Sequence, residues 1–349
     1  SKTDILELFD VNDNLLGHIY FNFSKTDFAI NKKVDAILYL ETKTAGQLTS
    51  YNSDWNYFPN SNERLVYMLI PPNESFSSIR YDVQPLLFVH GIYGKYPTWN
   101  LIPKQTYTTF DGWQLYYPYD MRISDCSNIL KEAIDNVLFG ITGISVPYLF
   151  SKINIVAHSM GGLVTRHYIQ NTNIDRINKL LMLGTPNNGS LSSLVAHDEL
   201  HGVTGALADF IKDRNSPAHI DMSPASKFLK DLDVLQMKPL YGADILKSYL
   251  VISGTKHIWY LTPAHYEAYQ HDDGVVAVSS ASLLNKQIPL ATIKLNHTEL
   301  PSQISPSLIT SFFNDNYNPV SGNYWLNLVK NEVDGFYLDY NNPLKIDNN

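Results

Sequence analysis

The stretch INIVAHSMGGLVTRHYIQ, residues 153–170, constrains this chain more than any other. Its first six residues read as a buried strand and the residues from Met160 as a helix, with only Ser159 between them. A strand ending at His158 and a helix starting at Met160 leave room for one very tight turn. Such a turn strains the backbone of Ser159 and presses the residues two before and two after it against neighbouring chain. Those positions must be small, and they are Ala157 and Gly161, with Gly162 following. The pattern is the G-x-S-x-G nucleophile elbow with Ala in place of the first Gly, a device that holds a serine hydroxyl uncrowded at the edge of a sheet. The helix that follows points backbone N–H groups to where an oxyanion can form. A serine here could also serve only as a helix N-cap. The apolar strand before it and the helix after it favour the nucleophile.

Composition narrows the remaining choices. With 349 residues, 44 % of them apolar, the chain can bury a full core as one large domain with additions or as two domains. No apolar run approaches the roughly 18 residues of a membrane span. The net charge is −8, from 26 basic and 34 acidic residues, and no Lys/Arg run stands out, which argues against nucleic acid as a partner. The single cysteine, Cys126, excludes an internal disulfide and a cysteine metal site. It precedes the amphipathic run NILKEAIDNVL and reads as a buried apolar filler. No signal peptide is visible in the opening SKTD. The 23 tyrosines and the abundant asparagines lean towards an exported protein, secreted or periplasmic.

Residues 1–80 read as a β-rich N-terminal extension. DILELFD, LLGHIYFNF, VDAILYLET and RLVYMLI are strand-like, and VNDN, KTAG and PNSN separate them as turns. From residue 81 to 316 apolar strands alternate with helical patterns: PLLFVHG, WQLYY, SNILKEAIDNVL, INIVAHS, GGLVTRHYIQ, INKLLMLG, SYLVISG, ATIKLNH and SPSLITSFFND. This alternation predicts a mostly parallel sheet flanked by helices. Between 190 and 247 the chain leaves the sheet for a helical lid or cap. Residues 317–349 read as a tail or linker.

Several motifs carry a resemblance. AHSMGG at 157–162 resembles the elbow of small bacterial lipases of the α/β-hydrolase superfamily, in which Ala also takes the first position. VHGIYG at 89–94 resembles the strand end that supplies part of the oxyanion hole in the same group. YPYDMR at 117–122 and DGVVAVSSA at 273–281 are similar to segments of the lecithin–cholesterol acyltransferase and GPI inositol-deacylase branches. LGTPNNGS at 183–190 resembles the passage from strand to lid. The resemblance covers about 85–315 and implies an α/β-hydrolase fold: a mostly parallel central sheet flanked by helices.

That superfamily runs Ser, acid, His along the chain. Only His297 follows residue 271 among the histidines, on a loop after ATIKL, so it is the expected base. His158 neighbours the serine but is expected to point elsewhere on the elbow, and His90, in the oxyanion segment, is expected to be structural. D-G-x-V matches Asp273 as the acid, with Asp272 as the alternative or as a solvated turn residue. The resemblance assigns the oxyanion N–H groups to Ile92 and Met160. No cofactor and no metal is expected; the Asp272–Asp273 pair leaves a structural Ca²⁺ as the alternative. Val203, Leu207, Phe210 and Ile211, and then Phe228, Leu229, Leu232 and Leu235, form apolar stripes in the insertion. With Tyr93 and Trp99 they offer an acyl chain an apolar surface. The expected activity is a serine carboxylic-ester hydrolase, a lipase or carboxylesterase, acting on acylglycerols or other esters, with transient contact at a lipid interface. An acyltransferase or GPI-deacylase-like esterase using the same triad, or a non-catalytic binding module on this fold, are the alternatives.

Overall fold

The computed structural model describes residues 4–9, 15–21, 37–44, 64–92, 94, 97–117, 119, 121–140, 146–172, 175–190, 216–242, 244–257, 271–314, 333–338 and 343–344. Strands β1 (Asp4–Phe9) and β2 (Leu15–Phe21) form an antiparallel pair of their own. The other ten described strands form one sheet. They are β3 (Ile37–Thr44), β4 (Arg64–Ile70), β5 (Pro85–Val89), β6 (Asp111–Tyr116), β7 (Ile153–His158), β8 (Ile177–Leu183), β9 (Tyr249–Gly254), β10 (Leu290–Ile293), β11 (Gly335–Tyr337) and β12 (Pro343–Leu344). Their spatial order is β3-β4-β6-β5-β7-β8-β9-β10-β11-β12. The six strands from β6 to β10 are parallel, and antiparallel strands close both sides. Two strands of the β-rich N-terminal segment thus pair onto the sheet. In the tail, Gly335–Tyr337 pairs with β10, with Val333 and Phe336 buried, so this stretch extends the sheet rather than linking away from it.

The parallel strands are largely apolar and buried because both faces are covered. Alternate side chains feed two cores. Leu87, Val89, Ile155, Ala157, Leu180, Met182 and Val251 join one face. Leu86, Phe88, Val156, Leu181, Leu183, Leu250 and Ile252 join the other. The helices that supply the cover are α1 (Ile102–Gln105), α2 (Ile123–Phe139), α3 (Met160–Asn171), α4 (Pro217–Met222), α5 (Lys227–Val234), α6 (Ile245–Ser248), α7 (Val278–Ala281), α8 (Leu300–Gln303) and α9 (Pro306–Phe313). Helix α2 buries Ile123, Cys126, Ile129, Leu130, Ala133, Ile134 and Val137 at helical spacing, with Cys126 as the expected filler. The Asp221 carboxylate of α4 accepts the Ile123 N–H at 3.0 Å and pairs with Arg122 at 2.7 Å, so a residue from the insertion caps this helix. At the far end of α9 the buried Lys179 Nζ donates to the carbonyls of Phe312 and Asn314 at 3.3 and 3.1 Å, where the helix dipole is negative.

The described part of the insertion is packed down. Leu229 and Leu232 of α5 are buried, and Gln170 Nε2 on α3 donates to the carbonyls of Leu232 and Leu235 at 3.1 and 2.8 Å. Phe228 stacks on His167 with ring centroids 5.7 Å apart. This second apolar stripe therefore docks α5 on α3. The first stripe, which holds Val203, Leu207 and Phe210, lies outside the described residues.

Asp111 anchors the start of β6. It is fully buried and accepts the Arg80 N–H at 2.6 Å, Arg80 Nε at 2.8 Å and the Tyr148 hydroxyl at 2.9 Å. The Tyr148 oxygen in turn accepts Trp113 Nε1 at 2.9 Å. Asp111→Ala removes one member and strands the others, which is costlier than removing all of them. We expect a loss of about 3 kcal/mol, read as a lower urea midpoint with an unchanged slope.

Candidate active site

Ser159 sits at φ 52°, ψ −126°, the strained conformation that the sequence predicts for the turn between β7 and α3. Its N–H donates to the Leu183 carbonyl of β8 at 2.8 Å, which fixes the turn to the neighbouring strand. The need for small neighbours is geometric. A Cβ on Gly161 would lie 2.6 Å from the carbonyl oxygens of both Val89 and His90. A Cβ on Gly91 would lie 2.5 Å from the Ser159 Cβ and 3.2 Å from its Oγ. The chain leaving β5 therefore passes directly beside the hydroxyl.

The structure brings Ser159, His297 and Asp273 together. His297 Nε2 is 2.9 Å from Ser159 Oγ, and His297 Nδ1 is 2.7 Å from Asp273 Oδ2. The tautomer follows from this geometry: Nδ1 carries the proton and donates to the carboxylate, leaving Nε2 to accept from the serine. The other carboxylate oxygen, Oδ1, accepts the N–H groups of Val275 and Val276 at 3.0 and 2.7 Å. Asp273 is fully buried, while Ser159 and His297 are 3 % and 7 % exposed. Both ends of the His297 backbone are held as well. Its N–H donates to the Asp273 carbonyl at 2.8 Å, and its own carbonyl accepts His158 Nε2–H at 2.9 Å. The chain as a sequence offers no signal for this second role of His158, because it depends on where the His297 loop lands.

Asp272 has a different task. It is buried, contrary to the solvated turn expected, and its Oδ1 accepts the Gly274 N–H at 2.7 Å and lies 2.7 Å from His257 Nδ1. It shapes the turn that aims Asp273. Both oxygens of Asp273 and Oδ1 of Asp272 thus face protein donors, and among the described residues no group of three or more His, Cys, Asp or Glu side chains gathers at one point.

The two residues expected to supply amides to an oxyanion are Met160, next to Ser159 in the chain, and Ile92, next to Gly91. Met160 opens α3, where the first N–H groups have no intrahelical acceptor. Ile92 is one peptide unit beyond Gly91, half-buried against the core. His90 braces this loop: its Nε2 accepts the Tyr117 N–H at 3.1 Å, its Nδ1–H donates to the Gly91 carbonyl at 2.6 Å, and its ring stacks on Tyr117 at 4.3 Å. Burial lowers its pKa to about 4, so it stays neutral. Trp99 does not line the site. It is fully buried in the second core, which it shares with Ile102 of α1, and packs against Phe88, ring centroids 5.1 Å apart. Tyr93 lies outside the described residues, as do Val203, Leu207 and Phe210.

Six parallel strands with antiparallel edges, a serine elbow after β7 and a His–Asp pair on loops after β10 and β9 define the α/β-hydrolase fold. A family model described as the PGAP1-like alpha/beta domain matches residues 80–238. The mature form of the Bacillus licheniformis lipase BlEst2 is similar in structure, with a TM-score of 0.52, 20 % identity, and coverage of 68 % of this chain and 92 % of that one. Its propeptide form gives a TM-score of 0.51 at 21 % identity, covering 68 % of this chain and 52 % of that longer one. A comparison with curated protein sequences gives no match. These likenesses show that the chain has the α/β-hydrolase fold. Among the described residues no helix is long and apolar enough to cross a membrane.

Two tests follow from this geometry. Gly161→Ala would raise stability on an open helix surface, but here the new methyl meets two backbone carbonyls. We expect a loss of about 1–3 kcal/mol, seen as a fall in melting temperature; a rise would remove the tight turn from the account. His90 concerns pH. Its folded pKa lies below the unfolded value of 6.5, so the unfolded chain binds more protons between about pH 4 and 6.5. Its contribution is present above 6.5 and is lost as pH falls towards 4. We expect urea unfolding of His90→Gln to show a shallower loss of stability across that window than wild type, by up to about 3 kcal/mol.

Proposed function

We propose that the protein is a serine ester hydrolase working through an acyl-serine intermediate. The observation that carries this reading is the continuous hydrogen-bonded line from Ser159 Oγ through His297 to Asp273, at 2.9 and 2.7 Å, with the serine in the strained elbow conformation. In the first half-reaction His297 Nε2 takes the proton as Ser159 Oγ attacks the ester carbonyl. Asp273 holds the ring and offsets the imidazolium charge. The N–H groups of Met160 and Ile92 receive the oxyanion. Collapse passes the proton from Nε2 to the departing alcohol. A water, deprotonated by the same nitrogen, then attacks the acyl carbon; the acid leaves as Nε2 returns the proton to Ser159 Oγ. These steps call on no metal or cofactor.

The proposed substrates are acylglycerols or other lipid esters, taken up with transient contact at a lipid interface, in a secreted or periplasmic setting. The resemblance of YPYDMR at 117–122 and DGVVAVSSA at 273–281 to the GPI inositol-deacylase branch gives a second reading within the same chemistry, removal of an acyl group from an inositol-linked lipid. An acyltransferase would differ only in the acceptor that meets the acyl-serine. A binding module under no catalytic demand would have little reason to keep all three side chains in line.

A fluorophosphonate probe is expected to label the wild type and not Ser159→Ala. Nitrophenyl esters of graded chain length, with and without an added alcohol, separate esterase, lipase and transferase. Turnover should fall about 10⁴-fold in Ser159→Ala and in Asp273→Asn, and far less in Asp272→Asn. A Ser159→Ala enzyme that keeps a tenth of wild-type turnover would end the proposal.

A further inference from the structure

His158 is buried, adjoins the nucleophile, and has no part in the proton transfers described above. It occupies the last position of β7 and turns towards the second core, where its ring meets the edge of Trp99 at 6.4 Å and 84°. Its Nε2–H donates to the main-chain carbonyl of His297 at 2.9 Å, and the two imidazole rings lie 4.7 Å apart. We propose that His158 is a positioning residue for the base: it grips the backbone of residue 297 so that the imidazole meets Ser159 and Asp273 at once. The proposal rests on the ester hydrolase reading for its kinetic consequences but not for the contact itself.

The need for such a grip follows from the connectivity. Strand β10 ends at Ile293, and His297 stands four residues beyond it on a loop. The imidazole must hold two hydrogen bonds, of 2.9 and 2.7 Å, on opposite sides of one ring. A displacement of about 1 Å breaks one of them and can cost on the order of 10²-fold in rate. The loop backbone is fastened on the acid side through His297 N–H to the Asp273 carbonyl at 2.8 Å. His158 fastens it on the nucleophile side. Because His158 is the residue before Ser159, the clamp on the base and the nucleophile share one rigid turn. The distance between Oγ and Nε2 is then set within a single structural unit.

The chemistry of the residue type fits. A histidine that donates from Nε2 and stays neutral can lie beside a second imidazole that becomes charged during turnover. Burial holds the His158 pKa well below the usual value, and the neighbouring His297 lowers it further. A lysine or arginine would make the same hydrogen bond but set a permanent cation beside the imidazolium. Leucine would fill similar space and leave the His297 carbonyl without its donor. Glutamine can place an amide N–H at the same reach.

The test compares His158→Leu with His158→Gln in the full chain, with melting temperature as the check on folding. We expect His158→Leu to lower kcat about 10- to 100-fold on a nitrophenyl ester while KM stays within about twofold. His158→Gln should recover to within about fivefold of wild type. The far-downfield proton resonance of the His297–Asp273 hydrogen bond should be kept with Gln and broadened or lost with Leu. If His158→Leu fails to fold, His158→Asn, whose amide stops one bond short of the carbonyl, takes its place and should behave as Leu does. Equal kcat for the Leu (or Asn) and Gln variants, or an unchanged resonance in the Leu or Asn variant, overturns the clamp. A wild type that no fluorophosphonate labels overturns the hydrolase reading alone, because the resonance still reports on the clamp.

Discussion

The backbone of Ser159 is the constraint on which the rest of the structure depends. A non-glycine residue at φ 52° costs of order 1–3 kcal/mol and persists only where its surroundings leave no alternative. Here three neighbours enforce it. Leu183 of β8 accepts the serine N–H, Gly91 beside β5 leaves just enough room for the side chain, and Gly161 lets α3 start against the β5 carbonyls. The turn is therefore a property of three adjacent strands. Strain that would relax in an isolated peptide is held by the sheet, and the hydroxyl is kept out of the helix it precedes.

The parallel order of the sheet then determines what reaches that hydroxyl. Strands β5, β7, β8, β9 and β10 all end on the same edge, so their following loops converge there. The Gly91–Ile92 turn comes from β5, the Leu183 carbonyl from the end of β8, Asp273 from the chain after β9, and His297 from the loop after β10. Each loop is fastened by contacts that do not react: His90 to Tyr117 beneath the first, Asp272 to Gly274 and His257 beside the acid, His158 to the carbonyl of the base. These buried hydrogen bonds stiffen the site without adding bulk to it. Asp221, Asp111 and Lys179 do the same for the helices and strand ends that carry the frame.

Much of this was legible in the chain itself. The strands of the N-terminal segment and of the alternating region, and the helices at 123–139, 160–171 and 306–313, follow from apolar runs and spacings. The steric reading of Ala157, Ser159 and Gly161 needed no structure either. What misled was local context without distance information. Trp99 lies near the oxyanion segment in sequence, yet it is drawn into the second core, because a large apolar ring gains most by full burial. Asp272 looked like a solvated turn residue because its partner, His257, is 15 positions away. Gly335–Tyr337 carries too short a pattern to announce a strand, and only the free edge of β10 makes it one.

The sequence by itself determined the sheet-and-helix alternation, the elbow and its small neighbours. These are short-range consequences of side-chain volume, periodicity and backbone sterics. The order Ser, acid, His, taken from the resemblance, pointed to His297 and Asp273 without saying that they meet. Only the tertiary structure decided that Asp273 rather than Asp272 faces the ring, that the ring reaches Ser159 at 2.9 Å, and that His158 holds the loop on which the ring stands. The physical reason is range. A hydrogen bond is decided within about 3 Å, and 138 residues separate His297 from Ser159. A long separation of that kind is closed by the packing of the sheet, which no local pattern encodes.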